Sequence, residues 1–498
     1  MSQEIIIIGG GLGGLFCGAI LAKEGCRVKV FEKNVRIGGG LQSFVRRGEK
    51  FDTGMHILGG FMPNGSVYKL CSYLGIMDKL NLKKVDDECM DVIRYFSDST
   101  EYRIGQGREN FISSLSGYFP EEASNIERYV DALYKMTDGI DFFHLRSGSA
   151  NMYSLSSESF VAADEFIASF TSNKKLQDIL AYLNSTYAGM AGHTPAFMHA
   201  MINVLYIEGT YRFVDDSYQL AELLSQIIID GGGEIYAGTP VTHIVTENKE
   251  ILYITDSKGN DHKADKYISA IHPCALLDLL DNGALPKAYC NRLQTIPNTY
   301  SAFILYLEMK ENAFPYLNHT CYCQDDYGSA WDLSRYDDAW PRGFMYMTPP
   351  VGNQGEFSKK MIVVTPMEFG AVEQWKDSKL GCRPDAYDRW KDECADRILA
   401  MMSGIYPDIR ERIAHITSAS PLTIRDYYNV KDGALYGYRK DCENIILSQV
   451  PIFTRLKNLL LSGQNINLHG VCGVALTAVN TAEVVLGQDS VVKKINNL

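Results

Sequence analysis

The stretch IIIIGGGLGG, Ile5 to Gly14, decides the fold. Ile5 to Ile8 form a continuous apolar run, which suits a strand buried on both faces of a parallel sheet. Gly9, Gly11 and Gly14 follow in G-x-G-x-x-G spacing. Beyond them Gly14, Gly18 and Ala22 recur every four residues, predicting a helix with one face free of bulk. Glycine inside a helix costs roughly 1 kcal/mol relative to alanine, so close packing of that face on the sheet is expected in return. Strand, glycine turn and helix in this order bring a helix N-terminus to a pyrophosphate.

The apolar run Ile5 to Ala22 is long enough to span a membrane. Its six glycines and the lack of a basic segment before it favour a buried strand, turn and helix instead. No other stretch approaches a membrane span, no signal peptide is expected, and a cytoplasmic protein is the expectation.

The next strand, RVKVFEK, delivers Glu32 and Lys33 at its C-terminal end, with Glu32 18 residues beyond Gly14. A carboxylate there accepts the ribose hydroxyls of an adenosine and repels a 2'-phosphate, which disfavours NADP at this site. FAD and NAD both remain open on this fingerprint alone.

At 498 residues the chain exceeds the size of a single growing core, so two or three lobes are expected. A net charge of -12 argues against a nucleic-acid partner. Twelve cysteines occur without C-x-x-C pairs, which fits reduced thiols better than a disulfide framework. Alternation in HTCYC would put His319, Cys321 and Cys323 on one face, but no second ligand cluster accompanies them, and His193 and His199 would diverge on a helix. No metal is expected.

NVRIGGGLQSFVRRGEKFDTGMHILGG follows the acid, with Gly38 and Gly39 and a short hairpin ending at Phe51-Asp52-Thr53-Gly54. This region resembles the phytoene-desaturase-like FAD flavoproteins, where R-x-G-G and F-D-x-G segments lie along FAD. With Met55 and His56 after Gly54, it is most similar to the all-trans-retinol saturase and carotenoid isomerase branch. The resemblance implies an α/β fold: a Rossmann-like FAD-binding domain of the glutathione-reductase type with a second α+β substrate-binding lobe.

From Met90 to about Tyr206 the chain reads as helix-rich, a lid or substrate region. The family's Pro-x-Gly-Gly-Ser before the returning helix is replaced by Phe213-Val214-Asp215-Asp216-Ser217, which removes the close backbone approach and sets two carboxylates there. LAELLSQIIIDGGG is a helix capped by glycines, so it provides no second dinucleotide fingerprint. EIYAGTPVTHIVTENKEILYITDSKGNDHKADKYISAIHP predicts a strand meander with a hairpin at DSKGN, closed by the strand ending at Ile271. Val241 is the residue that the resemblance sets beside the adenine, and His272 reads as a strand-end histidine. Residues 291–420 mix strands such as SAFILYLEM and GFMYMTPP with a helix around AYDRWKDECADRILAMM.

At the far end, LSGQNINLHGVCG and the small-residue helix after it resemble the family's closing motif, in which a helix N-terminus points at the pyrimidine end of the isoalloxazine. Such a terminus carries roughly half a positive charge, suited to an anionic reduced flavin. Gly463, Gln464, Gly470, Gly473 and Val474 are expected along the ring, the two later glycines permitting backbone approach. Upstream, KDGALYGYRK resembles the family's G-x-x-Y-G segment and puts Tyr436 near the substrate. Tyr436 and His56 are the polar candidates for catalysis.

The expected cofactor contacts are therefore Gly9, Gly11, Leu12, Gly14, Glu32, Lys33, Gly38, Gly39, Gly54, Met55, His56, Val241, Gly463, Gln464, Gly470, Gly473 and Val474. The FAD domain is expected from 1–89, 210–290 and 421–498, with a mostly helical region at 90–209 and an antiparallel-sheet substrate domain at 291–420. The implied function is redox or isomerisation chemistry at carbon–carbon double bonds of a lipophilic, isoprenoid-like molecule, with peripheral membrane contact as a route of access. NAD(P)H as an external reductant would have no domain of its own. A flavin amine oxidase and a non-catalytic binder of lipidated partners, as in Rab escort proteins, are the alternatives.

Overall fold

The computed structural model of the chain describes residues 3–147, 157–352 and 355–497; residues 148–156 of the helix-rich stretch lie outside them. The run Glu4–Ile8 is the central strand of a five-stranded parallel sheet. Arg27–Phe31 and Glu234–Tyr236 lie on one side of it, Lys266–Ser269 and Leu459–Leu461 on the other. Three separate stretches of chain thus build one sheet.

The fingerprint helix Leu12–Lys23 packs between helices Tyr218–Asp230 and Gly470–Leu486. Its small face is shared between sheet and helix. A Cβ on Gly14 would lie 2.0 Å from the Gly9 carbonyl oxygen, whereas one on Gly18 would lie 2.8 Å from Ile228 Cδ1 of the returning helix. Close packing on the sheet accounts for only part of the glycine spacing, because the returning helix uses the rest.

The meander differs from expectation. Val241–Glu247 and Glu250–Asp256 pair antiparallel, and the DSKGN hairpin returns only as Asp261–His262. Lys266–Ser269 leaves the meander and joins the parallel sheet beside Glu4–Ile8. Tyr267, Ile268 and Ser269 are all buried there, as in a strand covered on both faces.

A seven-stranded sheet forms the second layer, in the order Ile413–Ala419, Ser301–Met309, Lys360–Met367, Gly343–Met347, Thr320–Gln324, Asp91–Tyr95, Glu101–Ile104. The last two strands come from the region read as helical, and Thr320–Gln324 pairs parallel with Asp91–Tyr95, so the sheet is mixed rather than purely antiparallel. One face, with Phe303, Leu305 and Val363, packs under helix Asp385–Met402 through Trp390 and Ile398. The opposite face, with Ile304, Val364, Met345 and Tyr322, joins the core shared with helix Ala196–Glu208. No helix among the described residues is long and apolar enough to cross a membrane.

Candidate functional site

Both glycine turns open into one cavity of about 470 Å³, within the roughly 300–1,000 Å³ range of small-molecule and cofactor sites. At one end Gly9 holds φ +106° and Gly11 caps the fingerprint helix with no side chain of its own to satisfy the first amides. A Cβ on Gly11 would meet nothing nearer than Gly39 Cα at 3.9 Å. Free helix-end N–H groups therefore face a space that a side chain would fill, as an anion site requires.

Gly38 lies behind this turn rather than along the cavity. Its N–H donates to the Gly10 carbonyl at 2.7 Å and it holds φ +104°, while Gly39 reaches the cavity wall. Glu32 is buried, and its carboxylate accepts N–H groups of Gly10 and Asn34, each at 2.8 Å, while still lining the cavity. Lys33 lines it too, donating to the Asp426 carbonyl at 2.9 Å; burial lowers its pKa. Leu12, Gly54, Met55, His56 and Val241 also line the cavity. Gly14 does not, because it is spent on the contact with Gly9.

Thr53 of the F-D-T-G segment is held from three sides. Its hydroxyl donates to the Gly40 carbonyl at 2.8 Å and accepts from Tyr428 at 2.9 Å, and its carbonyl accepts from Tyr306 at 2.7 Å. Asp52 accepts both the N–H and the hydroxyl of Ser217 at 3.0 Å. The two carboxylates of Val214-Asp215-Asp216 turn away from the cavity. Asp215, at φ +71°, accepts from Gly352 N–H at 2.8 Å, and Asp216 accepts from Tyr218 N–H and pairs with Lys50.

The closing turn meets the fingerprint from the other side. Gly463 sits at φ +94°, and a Cβ on Gly13 would lie 2.8 Å from its Cα. Gly463, Gln464, Gly470 and Val474 line the cavity, and helix Gly470–Leu486 begins there with no side-chain cap. Gly473 departs from expectation. A Cβ there would lie 2.4 Å from Leu468 Cβ, so this glycine lets the helix pack on its own loop and does not reach the cavity.

The inner half of the cavity is apolar. Its floor is a row across the seven-stranded sheet, Ile304 opposite Val364 opposite Met345. Leu205, Ile202 and Tyr206 of helix Ala196–Glu208 roof it, the Tyr206 hydroxyl donating to the Ile57 carbonyl at 3.3 Å. Among the described residues the only carboxylate lining the cavity is Glu32, at the opposite end.

Among the polar side chains that line the cavity, four are candidates for chemistry. His56 is half-buried with its Nε2 enclosed and unpartnered, and desolvation of the ring lowers its pKa against the pull of Asp52 and the Gly40 carbonyl. Tyr436 donates to the Ser185 carbonyl at 3.1 Å, and burial raises its pKa far above the usual phenol range. His469, which the sequence reading left unassigned, lies 4.6 Å from the Tyr436 ring, centroid to centroid. Its Nε2 is also unpartnered, and burial pushes its pKa down to about 4. Its place directly before Gly470, as N-cap of the closing helix, was the available signal. His272 is structural: Nδ1 accepts the Cys274 N–H and Nε2 faces Asn298 Oδ1 at 3.0 Å, with burial lowering its pKa to about 4.

Cys321 and Cys323 share one face of their strand, in an apolar cluster with Phe344 and Tyr346, and burial pushes the Cys321 thiol up to about 12. The one grouping of metal-ligand type among the described residues is His193, Asp441 and Glu443, where Arg439 already lies 3.5 Å from Asp441.

A sequence profile of the flavin containing amine oxidoreductase family matches residues 12–486. The all-trans-retinol 13,14-reductase of Danio rerio is 24% identical over 553 aligned residues, covering 99% of this chain and 88% of that protein. The 4,4'-diapophytoene desaturase (4,4'-diaponeurosporene-forming) of Staphylococcus haemolyticus is 23% identical, covering 97% of this chain and 99% of that one. An oxidoreductase from Methanosarcina mazei has a similar solved structure, with a TM-score of 0.65 at 18% identity, covering 97% of this chain and 100% of its own.

Proposed function

The chain belongs to the flavin containing amine oxidoreductase family, and from that premise we propose that it is an FAD-dependent oxidoreductase acting on carbon–carbon double bonds of a lipophilic polyene. The observation that carries the proposal is the inner half of the cavity. An amine substrate that arrives as a cation is held by a carboxylate or by the faces of aromatic rings. Here Ile304, Val364 and Met345 face helix Ala196–Glu208, and among the described residues no carboxylate lines the space between them. The names of the relatives, a retinol reductase and a carotenoid desaturase, point the same way.

The outer half fits FAD. The uncapped amides at Gly11 would hold the pyrophosphate, Glu32 the ribose, Val241 the adenine side, and the closing helix the isoalloxazine. When bound, FAD supplies the two-electron centre. Saturation of one double bond adds two electrons and two protons, desaturation removes the same, and isomerisation has no net change of either.

The protein's own part is to exclude water, fix the chain of the substrate against the ring, and limit proton traffic. Tyr436 is a poor acid, since its proton is bound to Ser185 and burial holds it there. The neutral imidazoles of His56 and His469 offer lone pairs at Nε2. They suit accepting a hydrogen bond from a hydroxyl group on the substrate or from the cofactor. A substrate of this kind resides in lipid, so peripheral contact with a membrane is the proposed route of entry, and a nicotinamide reductant would act without a domain of its own.

The test is anaerobic. The purified protein is loaded with FAD, reduced with dithionite, and mixed with candidate polyenes and, separately, its oxidised form with amines. Reoxidation by a polyene is the expected result. Protein that fails to take up FAD, or whose flavin is reduced by amines and never exchanges electrons with polyenes, would overturn the proposal.

A further inference from the structure

Lysine is a surface residue by default, yet Lys440 is buried, with only 8% of its surface exposed. Its Nζ donates to the carbonyls of Ser448 and Ile466, each at 3.2 Å, and no carboxylate pairs with it among the described residues. The adjacent Asp441 is turned to His193 and Arg439, at 3.2 and 3.5 Å. Burial without a counter-charge pushes the Lys440 pKa down to about 7. Two carbonyl dipoles steady an ammonium but do not neutralise it. An amine held in this way gives up its proton near neutral pH and takes it back when an anion forms nearby.

Its position ties it to the closing loop. Ile466, whose carbonyl it holds, belongs to the loop that runs from Leu461 to the closing helix. Gln464, Asn465 and His469 of the same loop line the cavity. The charge of Lys440 reaches His469, adding to the burial that lowers the imidazole pKa. His469 itself is neutral, and Tyr438, on the neighbouring turn, spends its hydroxyl on the Leu293 carbonyl at 2.7 Å. Among the described residues none of these groups balances Lys440.

We propose that Lys440 is a positioning residue that supplies, from behind the closing loop, the counter-charge for the anionic reduced form of FAD. This rests on the assignment of FAD to the cavity. Two unpaired electrostatic elements then act on the same region: the uncapped helix N-terminus at Gly470 and the ammonium behind it. A negative charge on the reduced flavin would draw a proton onto Lys440, and the ammonium so formed would in turn favour the reduced state.

The measurement is the midpoint potential of the FAD-loaded protein and of its Lys440→Met variant, with proton uptake on reduction followed at pH 8. The variant is expected to retain FAD and to stabilise the reduced over the oxidised form about tenfold less, a fall of ~30 mV for a two-electron couple. Its proton uptake should fall to that of free FAD. An unchanged potential in a fully loaded variant would overturn the proposal while leaving FAD binding intact; failure of the wild type to bind FAD would instead overturn the functional assignment. Should the Lys440→Met variant fail to fold, Lys440→Gln takes its place with the same readings, a lower potential supporting the role and an unchanged one removing it.

Discussion

Gly13 and Gly463 touch backbone to backbone: a Cβ on Gly13 would lie 2.8 Å from the Gly463 Cα and 3.2 Å from its nitrogen. The first and last turns of the chain are thereby locked into one wall. Gly13→Ala is expected to push the closing loop outward and reduce FAD occupancy severalfold, read from the flavin-to-protein absorbance ratio. Gly117→Ala is the control, since nothing lies within 4 Å of its Cβ and its φ is ordinary. Equal flavin content in the two variants would refute the contact.

Glu32→Gln tests the adenosine end. The carboxylate holds the N–H groups of Gly10 and Asn34 and retains lone pairs toward the cavity. A charged hydrogen bond to a ribose hydroxyl is worth about 1.5–3 kcal/mol, so FAD should bind roughly 10- to 100-fold more weakly by fluorescence titration of the apoprotein. Gly11→Val should do more, by filling the open side of the turn.

Much of this wall was legible because its signals are local. The isoleucine run, the glycine spacing and the acid at Glu32 each depend on neighbours within a few positions. The strands Asp91–Tyr95 and Glu101–Ile104 were not. Their mixed polar sequences, DVIRY and EYRI, carry no long apolar run, and the first finds its outer partner only in Thr320–Gln324. Gly473 was misread for a related reason: its neighbour is Leu468, and only the folded loop brings the two together. Lys440 escaped notice because composition places lysine outside.

Stability should fall in mild acid through His469. Its folded pKa of about 4 lies below the unfolded value of ~6.5, so the unfolded chain binds more protons between these limits. Its contribution is complete above pH ~6.5 and is lost as pH drops toward 4. His469→Gln should remove on the order of 2 kcal/mol from the difference in unfolding free energy between pH 7 and pH 4.5, measured by urea denaturation. An identical pH dependence in the variant would show that the imidazole is not buried in its neutral form.

Val364→Phe separates the two halves of the cavity. Val364 is the centre of the apolar floor, paired with Ile304 on one side and Met345 on the other, and it lies on a different sheet from the fingerprint and closing turns. A phenylalanine there is larger by several methylene equivalents and would occupy the path of an extended chain, at a packing cost of about 1–3 kcal/mol. FAD content should be unchanged, while reoxidation of the reduced protein by a polyene slows at least tenfold. Val364→Ala should leave both intact or admit bulkier polyenes. Loss of FAD from the phenylalanine variant would mean that the floor belongs to the cofactor rather than to the substrate, and unchanged polyene turnover would mean that the substrate lies elsewhere.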